Sequence, residues 1–163
     1  MPEDPIIKKY FDLIQANTKA FKGFYYGDPI MIPTSMTPAL IGARRATRTK
    51  TFTNAEDQHS MTLIFTIVAD VRPDIQDDKQ LVAGNNRLYD LMEGRDPTTL
   101  LLKSTSLLAI LRHNIDIDEA HQLWTDMSTP TQIDYGLVAN KRAKPSWSIE
   151  GATTTVATLV QIR

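Results

Sequence analysis

Apolar and polar residues alternate most regularly over residues 60–72. Every second residue from Met61 to Val71 is apolar, and the residues between them are polar except for Ile64 and Val68. A period of two in a segment rich in β-branched residues predicts a long strand. We expect one face of this strand to lie on the core and the other to be half covered by another element or by a second subunit.

Apolar residues at helical spacing predict three helices. The first covers about 5–20 and begins at Asp4, which is a helix-capping residue followed by proline. The second covers 75–92 and the third about 98–112. Polar residues interrupt the third pattern, so a loop followed by a shorter helix from near Ser106 is the alternative.

Four segments predict strands, which join in two hairpins. The strands near 37–48 and 58–72 form a long first hairpin, and those at 131–140 and 152–162 form a second. The aromatic and proline-punctuated segment 24–33 is expected to be a connector or a short edge strand.

The order of these elements predicts the fold class. Helix, two strands, two helices and two strands indicate an α+β domain with a four-stranded, mainly antiparallel sheet and helices packed on one face. A single domain over 3–163 is expected, with a long polar hairpin arm near 44–59.

Composition excludes several classes of protein. The chain of 163 residues is 42% hydrophobic and 23% charged, which is typical of a soluble globular protein. It contains no apolar run of about 18 residues, so no membrane contact is expected, and no secretory signal is visible. The absence of cysteine excludes disulfides, thiolate metal sites and cysteine nucleophiles.

The net charge of −1 conceals two basic clusters. Trp147 follows the second cluster as a candidate exposed aromatic residue. Local chemistry makes these residues candidates for a subunit interface or for a surface that faces DNA. The candidates are Arg44, Arg45, Arg48, Lys50, Lys141, Arg142, Lys144 and Trp147.

No catalytic pattern is present, and we expect a protein that is not an enzyme and binds no cofactor. The sequence has no glycine-rich phosphate loop, no GxSxG turn and no HExxH helix. The letters DEAH at 118–121 therefore have no nucleotide-binding partner motif. The segment 116–127 is expected to be a short helix capped by Asp118 or a partly extended chain. Its acids and histidines favour a solvated acidic cap over a metal site.

Four segments in sequence order carry a resemblance to a known family. They are GDPIMIPTSMTPAL, SMTLIFTIVADVR, LYDLMEGRDP and SLLAILRHN, which follow an N-terminal amphipathic helix and precede a terminal pair of strands. In this order of elements the chain resembles the tail terminator and tail-completion proteins of long-tailed bacteriophages.

The resemblance implies a structural virion protein of the tail or neck, made in the host cytoplasm. Such a protein forms a homohexameric ring that ends the tail tube and offers a docking surface to the head–tail connector. Its partners would be further copies of itself, the tail tube protein and the connector, with non-specific DNA contact in the lumen. The alternative from local chemistry is a small nucleic-acid-binding module that uses the basic clusters at 44–50 and 141–144.

Overall fold

The alternating segment of the sequence forms β4 (Glu56–Val71), the central strand of the fold. The computed structural model describes residues 3–71 and 78–163. Strand β4 pairs antiparallel with β3 (Ala39–Thr51) on one side and with β9 (Trp147–Ile162) on the other. The residues of β4 that alternate from Met61 to Val71 are buried, which confirms the predicted core face.

Seven of the described strands form one mixed sheet, and two form a small second sheet. The order in the large sheet is β1-β3-β4-β9-β6-β5, and β7 also pairs with β9. The remaining strands are β1 (Gly23–Tyr26), β2 (Ile32–Pro33), β5 (Asp116–Asp118), β6 (Leu123–Thr125), β7 (Ile133–Asn140) and β8 (Ala143–Lys144).

The α+β class is confirmed, but the predicted four-stranded sheet is wrong in detail. The four predicted strands correspond to β3, β4, β7 and β9, and the predicted pairing of the last two is present as β7 with β9. The sheet is wider because β1 adds parallel to β3, and β6 and β5 add beyond β9. Each of these added strands has only three or four residues, so none shows an alternation long enough to be recognised.

The predicted polar arm is the end of a three-stranded sheet rather than a free hairpin. Strand β9 accompanies β4 to its first residue, with Ile162 opposite Glu56. The hairpin turn between β3 and β4 covers only residues 52–55. This end of the sheet is therefore supported by the C-terminal strand.

The helices are α1 (Pro5–Asn17), α2 (Asp78–Glu93) and α3 (Leu107–His113). Asp4 caps α1 by accepting hydrogen bonds from the first free amides, as predicted, although α1 ends earlier than residue 20. Ser106 caps α3 by accepting a hydrogen bond from the amide of Ala109. The shorter alternative for the third helix is therefore confirmed. The predicted start of the second helix lies outside the described residues.

All three helices pack on the face of the sheet that carries the apolar stripe of β4. Helix α1 approaches β3 at Gly42, where an added Cβ would lie 2.5 Å from Ile7 Cγ2. The ring of Phe11 lies 5.1 Å from those of Phe24 and Tyr26, so β1 joins the core through these aromatic residues. The segment 24–33 is thus partly an edge strand, the second of the two expectations for it.

Among the described residues, cover on the opposite face of the sheet lies at one end only. There the small β2–β8 sheet lies against a cluster that includes Ile32, Ile41 and Val68. The predicted half-covered face is confirmed, with the cover supplied by this chain. Within the described ranges, no helix combines the length and apolar character that a membrane span requires.

Candidate interaction surface

The middle of the sheet carries an open face of small and β-branched residues. The pairing register puts Ala43 of β3, Ile64 of β4 and Thr154 of β9 side by side on this face. The next row contains Thr62 and its neighbour Val156. These five side chains are half-exposed, unlike the buried residues of the helix-covered face. The open face is therefore apolar enough to be covered by another molecule.

The structure divides the first basic cluster between the two faces of the sheet. Arg44 lies opposite Leu63 on the helix-covered side, and its guanidinium donates to both carboxylate oxygens of Asp4 at 3.0 and 2.7 Å. The same carboxylate caps α1. Arg44 therefore joins β3 to the start of α1, and its charge is already matched within the chain.

The other three residues of this cluster remain exposed along β3. Arg45 lies at an irregularity of the β3–β4 pairing, between Arg44 and Ala46. Arg48 and Lys50 pair with Ser60 and Gln58, on the same side of the sheet as the open face. Within the described part of the chain, none of the three forms an ion pair.

The outer edge of β3 is free over most of its length. Strand β1 pairs with Ala39 to Gly42 only, and from Arg44 to Thr51 all side chains are exposed. Beyond β1, no described strand pairs with this edge. Along these eight residues, the backbone N–H and C=O groups that do not bond to β4 therefore point outward to solvent.

Arg142 of the second basic cluster is an internal clamp rather than an exposed candidate. Its side chain is 19% exposed and forms ion pairs with Glu150 of β9 and with Asp28, the latter at 2.8 Å. It also donates to the carbonyl of Pro29. Burial alone lowers the pKa of Arg142, but the hydrogen bonds to Glu150 and Asp28 outweigh burial and raise it above its ordinary value. The charge of Arg142 is thus matched within the chain, and its interface or lumen role stays a prediction.

The remaining residues of the second cluster lie on the surface around the start of β9. The Lys141 ammonium lies 4.9 Å from the ring centroid of Trp147, a cation–π contact. Trp147 is half-buried, opposite Val71, and packs against the main core, so its expected exposure is only partial. Lys144 is exposed in β8.

The far edge of the large sheet is acidic. At β5, Asp116 is exposed, and the Asp118 carboxylate accepts from Lys9 at 2.8 Å and from the His121 ring at 2.8 Å. Hydrogen bonding by Lys9, then by His121, lowers the pKa of Asp118 to about 2. Asp118 caps a single 3₁₀ turn between β5 and β6, so the partly extended alternative for this segment is confirmed.

The histidines and acids of this edge do not form a metal cluster. Among the described residues, no group of three or more histidine and acidic side chains converges as a metal site would require. Asp118 is instead neutralised by Lys9.

The recesses on the described surface include an apolar groove and a more open recess. A groove of about 410 Å³ lies between the start of α1 and the ends of β6 and β9, with apolar walls that include Ile6, Leu123 and Leu159. A more open recess lies beside α2, where the Tyr135 hydroxyl donates to Glu93 at 2.7 Å. Burial, and then the Glu93 carboxylate, raise the pKa of Tyr135, so the phenol stays protonated.

No protein-family model matches the sequence, and a search of curated proteins finds no significant match.

Sequence reasoning found the basic residues but missed the free edge of β3 and the acidic edge at β5. The alternation in β3 is weak, because its exposed half consists of arginine, threonine and lysine on both faces. The acids at Asp116 and Asp118 were visible, but their position at the opposite end of the same sheet depends on β5 and β6, which sequence reasoning did not predict.

Proposed function

We propose that this chain is a structural subunit of a phage tail, forming a ring that ends the tail tube and offers a docking surface to the head–tail connector. The proposal rests on one observation: among the described strands, the edge of the large sheet is unpaired from Arg44 to Thr51, and the adjoining sheet face is half-exposed. Free edges and exposed apolar faces are the surfaces through which subunits join. The type of assembly, a ring at the end of a tail tube, is inferred from the resemblance in the order of elements.

A ring needs a head-to-tail contact between two different surfaces of each subunit. The two edges of the large sheet are such a pair, since β3 and β5 lie at different sides of the molecule. The open face around Ile64 then has the same orientation in every subunit. A repeated apolar surface of this kind suits contact with the tail tube protein or the connector.

The alternative, a nucleic-acid-binding module, is weakened by the pairing of two arginines. Arg44 and Arg142 are matched by carboxylates of this chain, which removes one charge from each basic cluster. A phosphate-binding surface normally gathers several unmatched bases. The three exposed bases on β3 would support weak, salt-sensitive contact with DNA in a lumen.

The proposal is tested by the mass of the protein in solution, alone and with purified tail tubes. We expect a closed ring in negative-stain images, or a monomer that collects at one end of each tube and stops further growth of the tube. Tail tubes without the protein are the control for tube length. A protein that neither forms rings nor binds tube ends would refute the proposal. If that protein also shifted duplex DNA at physiological salt, the nucleic-acid reading would replace it.

A further inference from the structure

The two edges of the large sheet carry opposite charges. Arg45, Arg48 and Lys50 line the free edge of β3. At the other edge, Asp116 belongs to β5 and Glu119 follows it, and both are exposed. Neither acid forms an ion pair among the described residues, whereas the Asp118 carboxylate is bound by Lys9 and His121.

Arg48 and Asp116 occupy the two ends of one row of the sheet. Arg48 pairs with Ser60, Ser60 with Thr158, Thr158 with Trp124, and Trp124 with Asp116. Directly paired residues in antiparallel strands share a face, so both charges lie on the open face. The cation at the β3 end of this row is therefore complementary in charge to the anion at the β5 end of the same row in a second copy.

The strand directions also permit this contact. Each pairing from β3 through β4, β9 and β6 to β5 is antiparallel, so β3 and β5 run in the same direction. A neighbour related by rotation about an axis along the strands would therefore bring its β5 parallel to β3. The edge of β3 already accepts a parallel strand, because β1 pairs with it over Ala39 to Gly42.

The two edges of one molecule cannot meet each other. Four strand spacings separate β3 from β5 in the pairing order, and at about 4.8 Å each they make a path of roughly 19 Å along the sheet. Any contact between them must therefore join two copies. Such a contact is head-to-tail, which is the type that closes a ring when the rotation between subunits allows it.

We propose that the free edge of β3 binds the β5 edge of a second copy in parallel, with Arg48 beside the neighbour's Asp116. This inference rests on the proposed ring and states which surfaces close it. The competing explanation is that the bases merely protect a free edge from aggregation. Glutamate would protect the edge equally well, so charge reversal separates the two explanations.

Two double variants and their mixture test the pairing. Arg48→Glu/Lys50→Glu makes both edges of the subunit acidic, and Asp116→Lys/Glu119→Lys makes both basic. We expect each variant alone to need more than ten times the wild-type concentration to assemble, because like charges would face each other. An equimolar mixture should assemble at the wild-type concentration, with the two variants alternating around the ring.

The control is Lys8→Glu/Lys19→Glu, which makes the same change in charge on exposed residues of α1 and its end. It should assemble as the wild type does. Assembly is measured by light scattering and native mass spectrometry, or by occupancy of tail-tube ends if the wild type closes only there. Circular dichroism verifies that each variant is folded.

The outcomes separate this inference from the proposed function. The edge pairing is wrong if the wild type assembles and each charge-reversed variant assembles equally well alone. It is also wrong if the wild type assembles and the mixture of the two variants stays dissociated. In both cases the proposed ring is not refuted. If the wild type neither forms rings nor binds tubes, both proposals fail. Only rescue by mixing supports the pairing.

The absence of cysteine allows a second, positional measurement. A chain with Arg48→Cys and Asp116→Cys should form a ladder of disulfide-linked oligomers on mild oxidation. Linkage within one molecule is excluded, because a disulfide needs Cα atoms within about 7 Å. Either single substitution alone should give no ladder. A double variant that behaves like the single ones would refute the Arg48–Asp116 register.

Discussion

Replacement of Tyr10 by phenylalanine should destabilise the fold by breaking a buried hydrogen bond between α1 and β6. The Tyr10 hydroxyl lies 2.7 Å from Thr125 Oγ1. The two residues are 0% and 2% exposed, so water cannot replace the lost partner. The aromatic ring stays in place against Phe65, which isolates the effect of the hydroxyl.

The expected loss has two parts. A typical intramolecular hydrogen bond contributes about 1 kcal/mol net, and an unsatisfied buried hydroxyl costs roughly 1–3 kcal/mol. We therefore expect Tyr10→Phe to lower the free energy of unfolding by about 1.5–3 kcal/mol. Thr125→Val should cost a similar amount. The double variant should cost less than the sum of the two, because it leaves no orphaned hydroxyl.

Urea unfolding followed by circular dichroism measures these differences, provided that the slope with urea stays constant. Tyr25→Phe is the control, since Tyr25 is half-buried and its hydroxyl forms no hydrogen bond among the described residues. It should change the free energy of unfolding by less than about 0.5 kcal/mol. A loss below about 0.5 kcal/mol in Tyr10→Phe, or strictly additive losses in the double variant, would refute the reasoning.

The same phenol gives a dependence on alkaline pH. Burial raises the pKa of Tyr10 from 10.0 to about 12, although the hydrogen bond with Thr125 acts in the opposite direction. The unfolded chain releases this proton first, so the contribution of Tyr10 is complete below pH 10 and is lost as the pH rises towards 12. Tyr10→Phe lacks this loss, and the stability difference between it and the wild type should therefore narrow over that range.

Two further variants test the other internal contacts. Arg142→Gln should lower the free energy of unfolding, measured in urea, by roughly 1.5–3 kcal/mol, because it leaves the mostly buried Glu150 without its charged partner. The control Lys144→Gln should change this free energy by less than about 0.5 kcal/mol. Equal effects of the two variants would contradict a stabilising role of the Arg142 ion pairs. Asp118→Asn should flatten the acid dependence of stability. The lowered pKa of Asp118 stabilises the fold at a pH above the ordinary carboxyl pKa of 3.8, and this contribution is lost as the pH falls towards about 2. Identical acid unfolding profiles of wild type and variant would exclude the contact with Lys9.

Features that depend on neighbouring residues were predictable from the sequence. Strand β4 was recognised because its alternation extends over more than ten residues, and α1 because Asp4 and Pro5 mark its start. The shorter form of α3 was an explicit alternative because polar residues interrupt the apolar pattern up to Ser106, and in the structure Ser106 caps this helix. Caps and periodicity act within a few residues, so the local sequence contains the whole cause.

Contacts between distant residues were not predictable. Arg44 and Arg142 belonged to apparently exposed basic clusters, but their partners Asp4 and Asp28 lie 40 and 114 residues away. The charges along the sequence show how many basic residues there are, but they do not show which carboxylates form ion pairs with them. The fold decided which arginines are matched internally and which remain available for a partner.

The sequence by itself therefore determined the α+β class, the central strand, the start of α1 and the residues that carry charge. Tertiary structure alone decided that β3 has a free edge and that Arg48 and Asp116 end the same row. That row depends on four successive pairing registers, and each register is fixed by side chains that pack on the shared core. A shift of one residue in any pairing would move one of the two charges to the other face of the sheet.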